Sequence, residues 1–329
     1  MIKVNDIRPD NLMELQRKYI EEDINFLQSK SSGFVNVDCP ACGTKNEDIQ
    51  MIKNGFKYCE CKKCGMLYMN PRPTTDILSE FYPNSPNYKY FNDCIFPASI
   101  DVRRNKIFIP RVEKVLELCK KFNVETDKIL EIGTGFGLFC EEMAKKKIFK
   151  DIVGVEASNS LAETCGEKGF RIYNGILEEL QINETFDVIV SFEVLEHIFD
   201  PKEFLKRSNE LLNKNGILML TFPNYNGFEI GALGKVSSSI DHEHLNYFNE
   251  KSISTLLEDT GFSVLSIETP GQLDVDLVRK EILENGFNAD SFVQDICVNK
   301  HETLSQKFQN FLIENKLSSN MMVIALKNN

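Results

Sequence analysis

The stretch Ile129-Leu-Glu-Ile-Gly-Thr-Gly-Phe-Gly-Leu138 decides the fold of this chain. A short apolar run ends in the acid Glu131 and then in three glycines, Gly133, Gly135 and Gly137; the helical pattern Phe139-Cys-Glu-Glu-Met-Ala-Lys145 follows at once. An apolar strand feeding a glycine turn that opens a helix is the ligand-binding crossover of a doubly wound α/β sheet. Glycine suits such a turn because a side chain would hold a ligand away from the backbone and because the turn favours positive φ. Spacing narrows the choice of ligand. A dinucleotide fingerprint, G-x-G-x-x-G, requires glycine at position 138, where this chain has Leu138.

Further strands follow in order. Asp151-Ile-Val-Gly-Val-Glu156 ends in a carboxylate at about the distance where doubly wound folds place a ribose-binding acid. Phe186-Asp-Val-Ile-Val-Ser-Phe192 runs into Glu193-Val-Leu-Glu-His197, and Asp200-Pro201 marks a helix start. Asn215-Gly-Ile-Leu-Met-Leu-Thr-Phe222 gives the next strand. With Glu131-x-Gly133-x-Gly135-x-Gly137 at their head, these segments resemble the consecutive motifs of class I S-adenosylmethionine (SAM)-dependent methyltransferases over residues 105–268. The resemblance implies a Rossmann-like sheet that binds SAM through Glu131, Gly133, Thr134, Gly135, Gly137, Glu156, Ala157, Phe192, Glu193 and His197. Segments like Glu193-Val-Leu-Glu-His197 occur in such enzymes with unrelated acceptors, so this one reports on fold and cofactor. His197 itself stands between two roles, lining the methyl-transfer region or shaping the entry to a helix.

At 329 residues the chain has room for one substantial core and a smaller module. Hydrophobic content of 42% and charged content of 26% are ordinary for a globular protein. No apolar run approaches the ~18 residues of a membrane span, so no membrane association is expected. The start, Met1-Ile-Lys-Val-Asn-Asp6, lacks a signal-peptide layout, and a cytoplasmic location is expected. A net charge of −11 disfavours partners gripped through phosphates: DNA is not expected, and large RNA is disfavoured. The densest basic run, Lys145-Lys-Lys147, fits a solvated helix face.

Ten cysteines in a chain of this kind favour metal over disulfides. Cys39-Pro-Ala-Cys42-Gly and Cys61-Lys-Lys-Cys64-Gly are two C-x-x-C pairs separated by eighteen residues. Four thiolates fill the tetrahedral sphere of one Zn²⁺ and leave no open position, which makes the expected site structural. The intervening Gln50-Met-Ile-Lys-Asn-Gly-Phe-Lys-Tyr58 reads as the hairpin of a zinc ribbon; Cys59 is an alternative ligand without the x-x spacing. Cys94, Cys119, Cys140, Cys165 and Cys297 are scattered and read as core or surface thiols.

The expected organisation is a helical segment over 1–35, the ribbon over 36–74, a linker or lid over 75–104, and the SAM-binding domain over 105–329 with a helical insertion near 270–318. Residues 10–29 show an apolar face of Leu12, Leu15, Tyr19, Ile24 and Leu27. Asn70-Pro-Arg-Pro73 favours an extended exit and reads as a hinge. The aromatic-rich 75–100 either covers an acceptor pocket or packs the ribbon.

A ribbon with an Asn-Pro-Arg-Pro tail before a methyltransferase domain resembles a bacterial group linked to sugar modification. Methyl transfer needs an aligned acceptor and a positioned proton acceptor. Residues 223–249 leave the sheet edge and carry Asp241-His-Glu-His-Leu-Asn-Tyr-Phe248, which holds two of the four histidines. This resembles the Tyr-His-Glu-His-x-x-Tyr-Phe signature of zinc-ribbon sugar C-methyltransferases, with Asp241 in place of tyrosine. The resemblance implies proton transfer by Glu243 and His244, with His242 counted beside them, and a sugar or nucleotide-linked sugar as the small-molecule acceptor. That family has a further C-terminal domain not expected within these residues. Two other readings stay open: O- or N-methylation of another small metabolite or a tRNA base, and a non-catalytic SAM-holding ribbon protein that docks a partner.

Overall fold

The computed structural model describes residues 2–45 and 48–328, and the chain divides into two compact units. The first unit gathers Met1–Ile100, Pro223–Ser252 and Glu268–Met321; the second gathers Asp101–Phe222, Ile253–Ile267 and Met322–Asn329. In chain order the strands are β1 Ile49–Lys53, β2 Phe56–Glu60, β3 Leu67–Met69, β4 Lys128–Ile132, β5 Asp151–Glu156, β6 Arg171–Asn174, β7 Phe186–Phe192, β8 Leu212–Pro223, β9 Asn246–Tyr247, β10 Phe262–Glu268 and β11 Asn320–Lys327. Among the described residues no helix is long and apolar enough to cross a membrane.

The second unit is built on a seven-stranded sheet of order β10-β11-β8-β7-β4-β5-β6. β4 pairs in parallel with β5 on one side and β7 on the other, so the chain reverses direction across the sheet at β4. Ligands of open α/β sheets bind beyond the carboxyl ends of strands at such a point. Every residue of β7 is buried, as an apolar run covered on both faces requires. The helices Ile109–Phe122 and Leu138–Lys146 contribute Val112, Val115, Phe139 and Met143 to a core shared with Val188, Val190, Met219 and Ile324. Asp200 starts the helix Pro201–Leu211 as expected, accepting from the amides of Lys202 at 3.0 Å and Glu203 at 3.1 Å. β6 was not foreseen: its four residues are exposed or half-buried and show no apolar alternation.

In the first unit β1, β2, β3 and β9 form an antiparallel sheet. Lys53 pairs with Phe56 across Asn54-Gly55, both at positive φ, the chemistry of a two-residue hairpin turn. The helix Asp10–Ser29 forms where its periodicity predicts, with Leu27 buried. Its inner face departs from the expected stripe: Leu15 is 41% exposed, while Asp23 is 1% exposed. Residues 75–100 are helical and aromatic-packed, with Tyr19 against Tyr90 at 5.3 Å and Phe26 against Phe81 at 6.0 Å between ring centroids. The 270–318 segment folds as the helices Asp274–Glu284 and His301–Glu314 around Val275, Val278, Cys297 and Leu312. Buried Asp274 ties its ends together, accepting from Gln309 Nε2 at 2.8 Å, Ser318 Oγ at 2.7 Å and Ser319 N at 2.6 Å.

The Asn70-Pro-Arg-Pro73 segment is not a hinge. Arg72 is completely buried, and its backbone exchanges two hydrogen bonds with Val35 at 2.9 Å each. Its guanidinium donates to Met69 O at 3.1 Å, Leu245 O at 3.0 Å and Asn246 Oδ1 at 3.2 Å. A planar fork satisfies carbonyls from two distant parts of the chain, which no apolar side chain can do. Arg72→Met should therefore leave buried acceptors unpaired and cost about 2–4 kcal/mol. The expected outcome is a lower urea midpoint with faster hydrogen exchange at Leu245–Tyr247.

Candidate functional site

In the second unit the glycine turn follows β4, where Gly133 N donates to Val155 O at 2.8 Å and Gly137 N to Thr134 O at 2.8 Å. A Cβ on Gly133 would meet Val194 Cγ2 at 2.5 Å and one on Gly137 would meet Cys165 Sγ at 2.9 Å, so packing demands both glycines. Gly135 differs: at φ +51° it opens on space, and a Cβ there would have nothing within 4 Å. Its amide donates to Glu156 Oε2 at 2.8 Å, and Ser158 N donates to Glu156 Oε1 at 2.9 Å. Burial pushes the Glu156 carboxyl up, and these backbone donors pull it back. The Ala157 amide and the Thr134 hydroxyl also favour its ionised form. Thr134 is buried beneath the turn, and Ala157 is exposed just after Glu156.

Glu131, one strand end away, is raised in the same sense. Burial pushes it up to about 8, with the Cys140 thiol (Sγ to Oε2 3.1 Å) and Arg111 opposing the rise. At the end of β7, Glu193 takes positive φ, an unusual conformation for a side-chain-bearing residue. Its Oε1 accepts from Arg111 Nη2 at 2.9 Å and Thr221 Oγ1 at 2.6 Å, and the Arg111 guanidinium lies 4.4 Å from the Phe192 ring centroid. Arg111 was missed from the sequence, since an arginine beside Pro110 on a surface-like helix carries no motif. His197 is half-buried on the single turn Leu195–His197.

In the first unit the four cysteines converge. Cys39 Sγ lies 3.5 Å from Cys64 Sγ and Cys42 Sγ lies 3.5 Å from Cys61 Sγ; all four sulfurs are within 4.8 Å of one another. Thiolates at about 2.3 Å from a tetrahedral ion stand about 3.8 Å apart, so the donor set fits one such ion. Gly43 N donates to Cys39 O at 2.8 Å and Gly65 N to Cys61 O at 2.7 Å, forming the two turns that present the sulfurs. Cys59 lies on β2, outside this group.

The Asp241–Phe248 loop belongs to the same unit, and β9 within it pairs with β3. Asp241, in place of tyrosine, accepts from the amides of Glu243 at 2.9 Å and His244 at 3.0 Å, closing the turn that carries both. The Asp241 carbonyl accepts from Tyr58 Oη at 2.9 Å, and Lys53 Nζ donates to Ser237 O at 2.6 Å. His244 Nδ1 lies 3.0 Å from Ser239 O, a carbonyl that can only accept, so the neutral ring keeps its basic lone pair on Nε2. Burial raises the Glu243 carboxyl; His242 and His244 oppose the rise, and so does Asn87, whose Nδ2 donates to Oε1 at 2.8 Å. His242 is 3% exposed, with its ring edge-on to Phe81 at 6.1 Å. Residues 75–100 thus supply contacts to this loop within the unit. The structure brings Glu243, His244 and His242 together on one turn.

A family model described as Methyltransferase domain matches residues 103–267. Among curated proteins the chain is 38% identical over 101 residues to the ubiquinone biosynthesis O-methyltransferase of Azorhizobium caulinodans (29% of this chain, 39% of that protein). It is 34% identical over 99 residues to the enzyme of the same name from Pelagibacter ubique (28% and 40%). The chain thus spans about two fifths of the length of these relatives. Among solved structures, the plantazolicin methyltransferase BpumL with a monoazolic desmethylPZN analog and SAH aligns with TM-score 0.51 at 15% identity, covering 77% of this chain and 94% of that one. BamL with a triazolic analog and SAH aligns at 0.51 and 12% identity, covering 77% and 95%. These two share the fold. With the family model spanning half of its residues, the chain belongs to the methyltransferase domain family.

Proposed function

We propose that this protein transfers a methyl group from SAM to a small-molecule acceptor, a sugar or nucleotide-linked sugar, and that its four-cysteine group holds a structural zinc ion. The observation that carries the cofactor reading is the Gly135 N to Glu156 hydrogen bond beside an open glycine at the reversal point of the sheet. Bound SAM supplies an electrophilic methyl group on a sulfonium. In this reading Glu156 accepts from ribose hydroxyls, and the open space at Gly135 lets a chain pass close to the backbone. Zn²⁺ on Cys39, Cys42, Cys61 and Cys64 would be coordinatively closed, so its part is folding.

The acceptor reading rests on Glu243 and His244. A half-buried carboxylate raised by burial, beside an imidazole whose Nε2 is kept basic, is the equipment for taking a proton from a carbon or hydroxyl. The resemblance of Asp241–Phe248 to the sugar C-methyltransferase signature supports a sugar. A second reading, O-methylation of another small metabolite, is favoured by the names of the curated relatives. A panel of nucleotide sugars and catechol-type phenols with labelled SAM, with NMR of the product, separates the two. Turnover of phenols alone would sink the sugar reading.

Four outcomes are expected. Glu156→Ala should weaken S-adenosylhomocysteine binding about ten- to a hundred-fold by calorimetry; unchanged affinity would remove the ribose role. Purified protein should carry about one equivalent of zinc, and Cys61→Ser should lower both metal content and thermal midpoint. Glu243→Gln should cut single-turnover rates about 10²–10⁴-fold with S-adenosylhomocysteine affinity intact. Because the base works deprotonated and burial raises Glu243, the wild-type rate should fall as pH drops through a value above the usual carboxylate range.

A further inference from the structure

Asp23 lies in the middle of the helix Asp10–Ser29, four residues after Tyr19 and four before Leu27, on the inner face of that helix. It is 1% exposed. Its Oδ2 accepts from Ser85 Oγ at 2.5 Å and lies 3.8 Å from His242 Nε2. The same Nε2 lies 3.7 Å from Glu243 Oε1. That oxygen in turn accepts from Asn87 Nδ2, which is braced by Gln16 Nε2 at 3.2 Å to Asn87 Oδ1. Neither ring nitrogen of His242 has a hydrogen-bond partner at normal length.

Two carboxyl oxygens, each already an acceptor from a neutral donor, thus converge on one buried nitrogen. Such an arrangement calls for a positive charge between them. A proton on Nε2 meets the need where it is. Burial works against an imidazolium here, but Asp23, Glu243 and Asp241 together outweigh it and raise His242 above its ordinary value. The groups facing this pair are Asp23 from the N-terminal helix and Asp241, Glu243 and His244 from the loop. A divalent ion is the rival occupant; oxygens and nitrogens on an octahedral ion stand about 3 Å apart. The distances of 3.7 and 3.8 Å are wider than that.

We propose that Asp23 is a positioning residue for Glu243, acting through His242: both carboxylates face one imidazolium nitrogen, and Asp23 balances the charge that Glu243 meets there. The proposal rests on the reading of Glu243 as the base. An imidazolium alone would strip Glu243 of basicity; paired with the Asp23 carboxylate it presents a dipole instead of a full charge. On taking the acceptor's proton, Glu243 becomes neutral, and the Asp23–His242 pair remains a closed ion pair beside it. No other species is consumed.

The test is ring-nitrogen NMR on full-length, ¹⁵N-histidine-labelled protein, where four histidines give four sets of signals and His242→Gln identifies one. In the wild type both nitrogens of His242 should carry protons at pH 7. In Asp23→Asn the midpoint should fall at least tenfold in proton affinity. In single turnover Asp23→Asn should lower the rate about tenfold or more and displace the acid limb, with acceptor KM changed less than about threefold, and Asp23→Glu should recover part of the rate. A neutral His242 in the wild type overturns the proposal even if Asp23→Asn fails to fold. So does a midpoint unmoved by Asp23→Asn, or a His242 shift on adding Mg²⁺ or Zn²⁺ alone. If Glu243→Gln keeps full turnover, the base reading itself fails, whatever the titration shows.

Discussion

The first unit depends on one short pairing, β3 with β9, in which Leu67 faces Tyr247 and Tyr68 faces Asn246. β3 follows directly on the Cys61–Cys64 turn, and β9 follows directly on His244. The cysteine group and the Glu243 loop are therefore two ends of one small sheet. Around the pairing, the loop is gripped mainly through main-chain atoms: Arg72 on Leu245 O, Tyr58 on Asp241 O, Lys53 on Ser237 O. Asn249 Nδ2 closes the circle on the carbonyl of Cys64 at 3.1 Å. Such contacts constrain the path of the loop that carries Glu243 and His244.

The buried acids divide by what opposes their burial. Glu156 is answered by backbone amides, which favour the ionised form, and it can act as an acceptor toward hydroxyls. Glu131, answered chiefly by a thiol, is pushed up to about 8. Glu243 is raised by burial and opposed by the two neighbouring imidazoles. One physical penalty is thus met by different donors at each of the three acids.

Much of this was legible in the residues. The strands at 151–156 and 186–192 and the helix at 10–29 appear where their periodicity placed them, because local burial pattern and tertiary packing agree there. Asp200 announced its helix through a side-chain cap that needs only its next neighbours. What escaped was non-local. Asp23 interrupts an apolar stripe, and only the arrival of Ser85 and His242 from distant segments explains it. Arg72 read as part of a hinge because its partners Leu245 and Asn246 lie more than a hundred residues away. β9 is two residues long, and no periodicity can declare a strand of that length. In the candidate site, the glycine turn and the Glu243–His244 pair were visible as motifs, whereas Arg111 and Asn87 act through position alone.

The first unit is assembled from three stretches separated along the chain, 1–100, 223–252 and 268–321. This bears on how such a protein can change over evolution. Recombination with a breakpoint near residue 103, where the family match begins, would inherit β9 without β3 and the Glu243 loop without Arg72, Tyr58 or Asp23. Exchange of contiguous gene segments is thus a poor route to a new form of this loop. Point substitution is a better one at positions held through their carbonyls, whereas Asp241, Asn246 and Asn249 hold the path through their side chains. Divergence in this lineage should then accumulate as scattered replacements within the loop and its N-terminal partners, drifting together despite their distance in the gene.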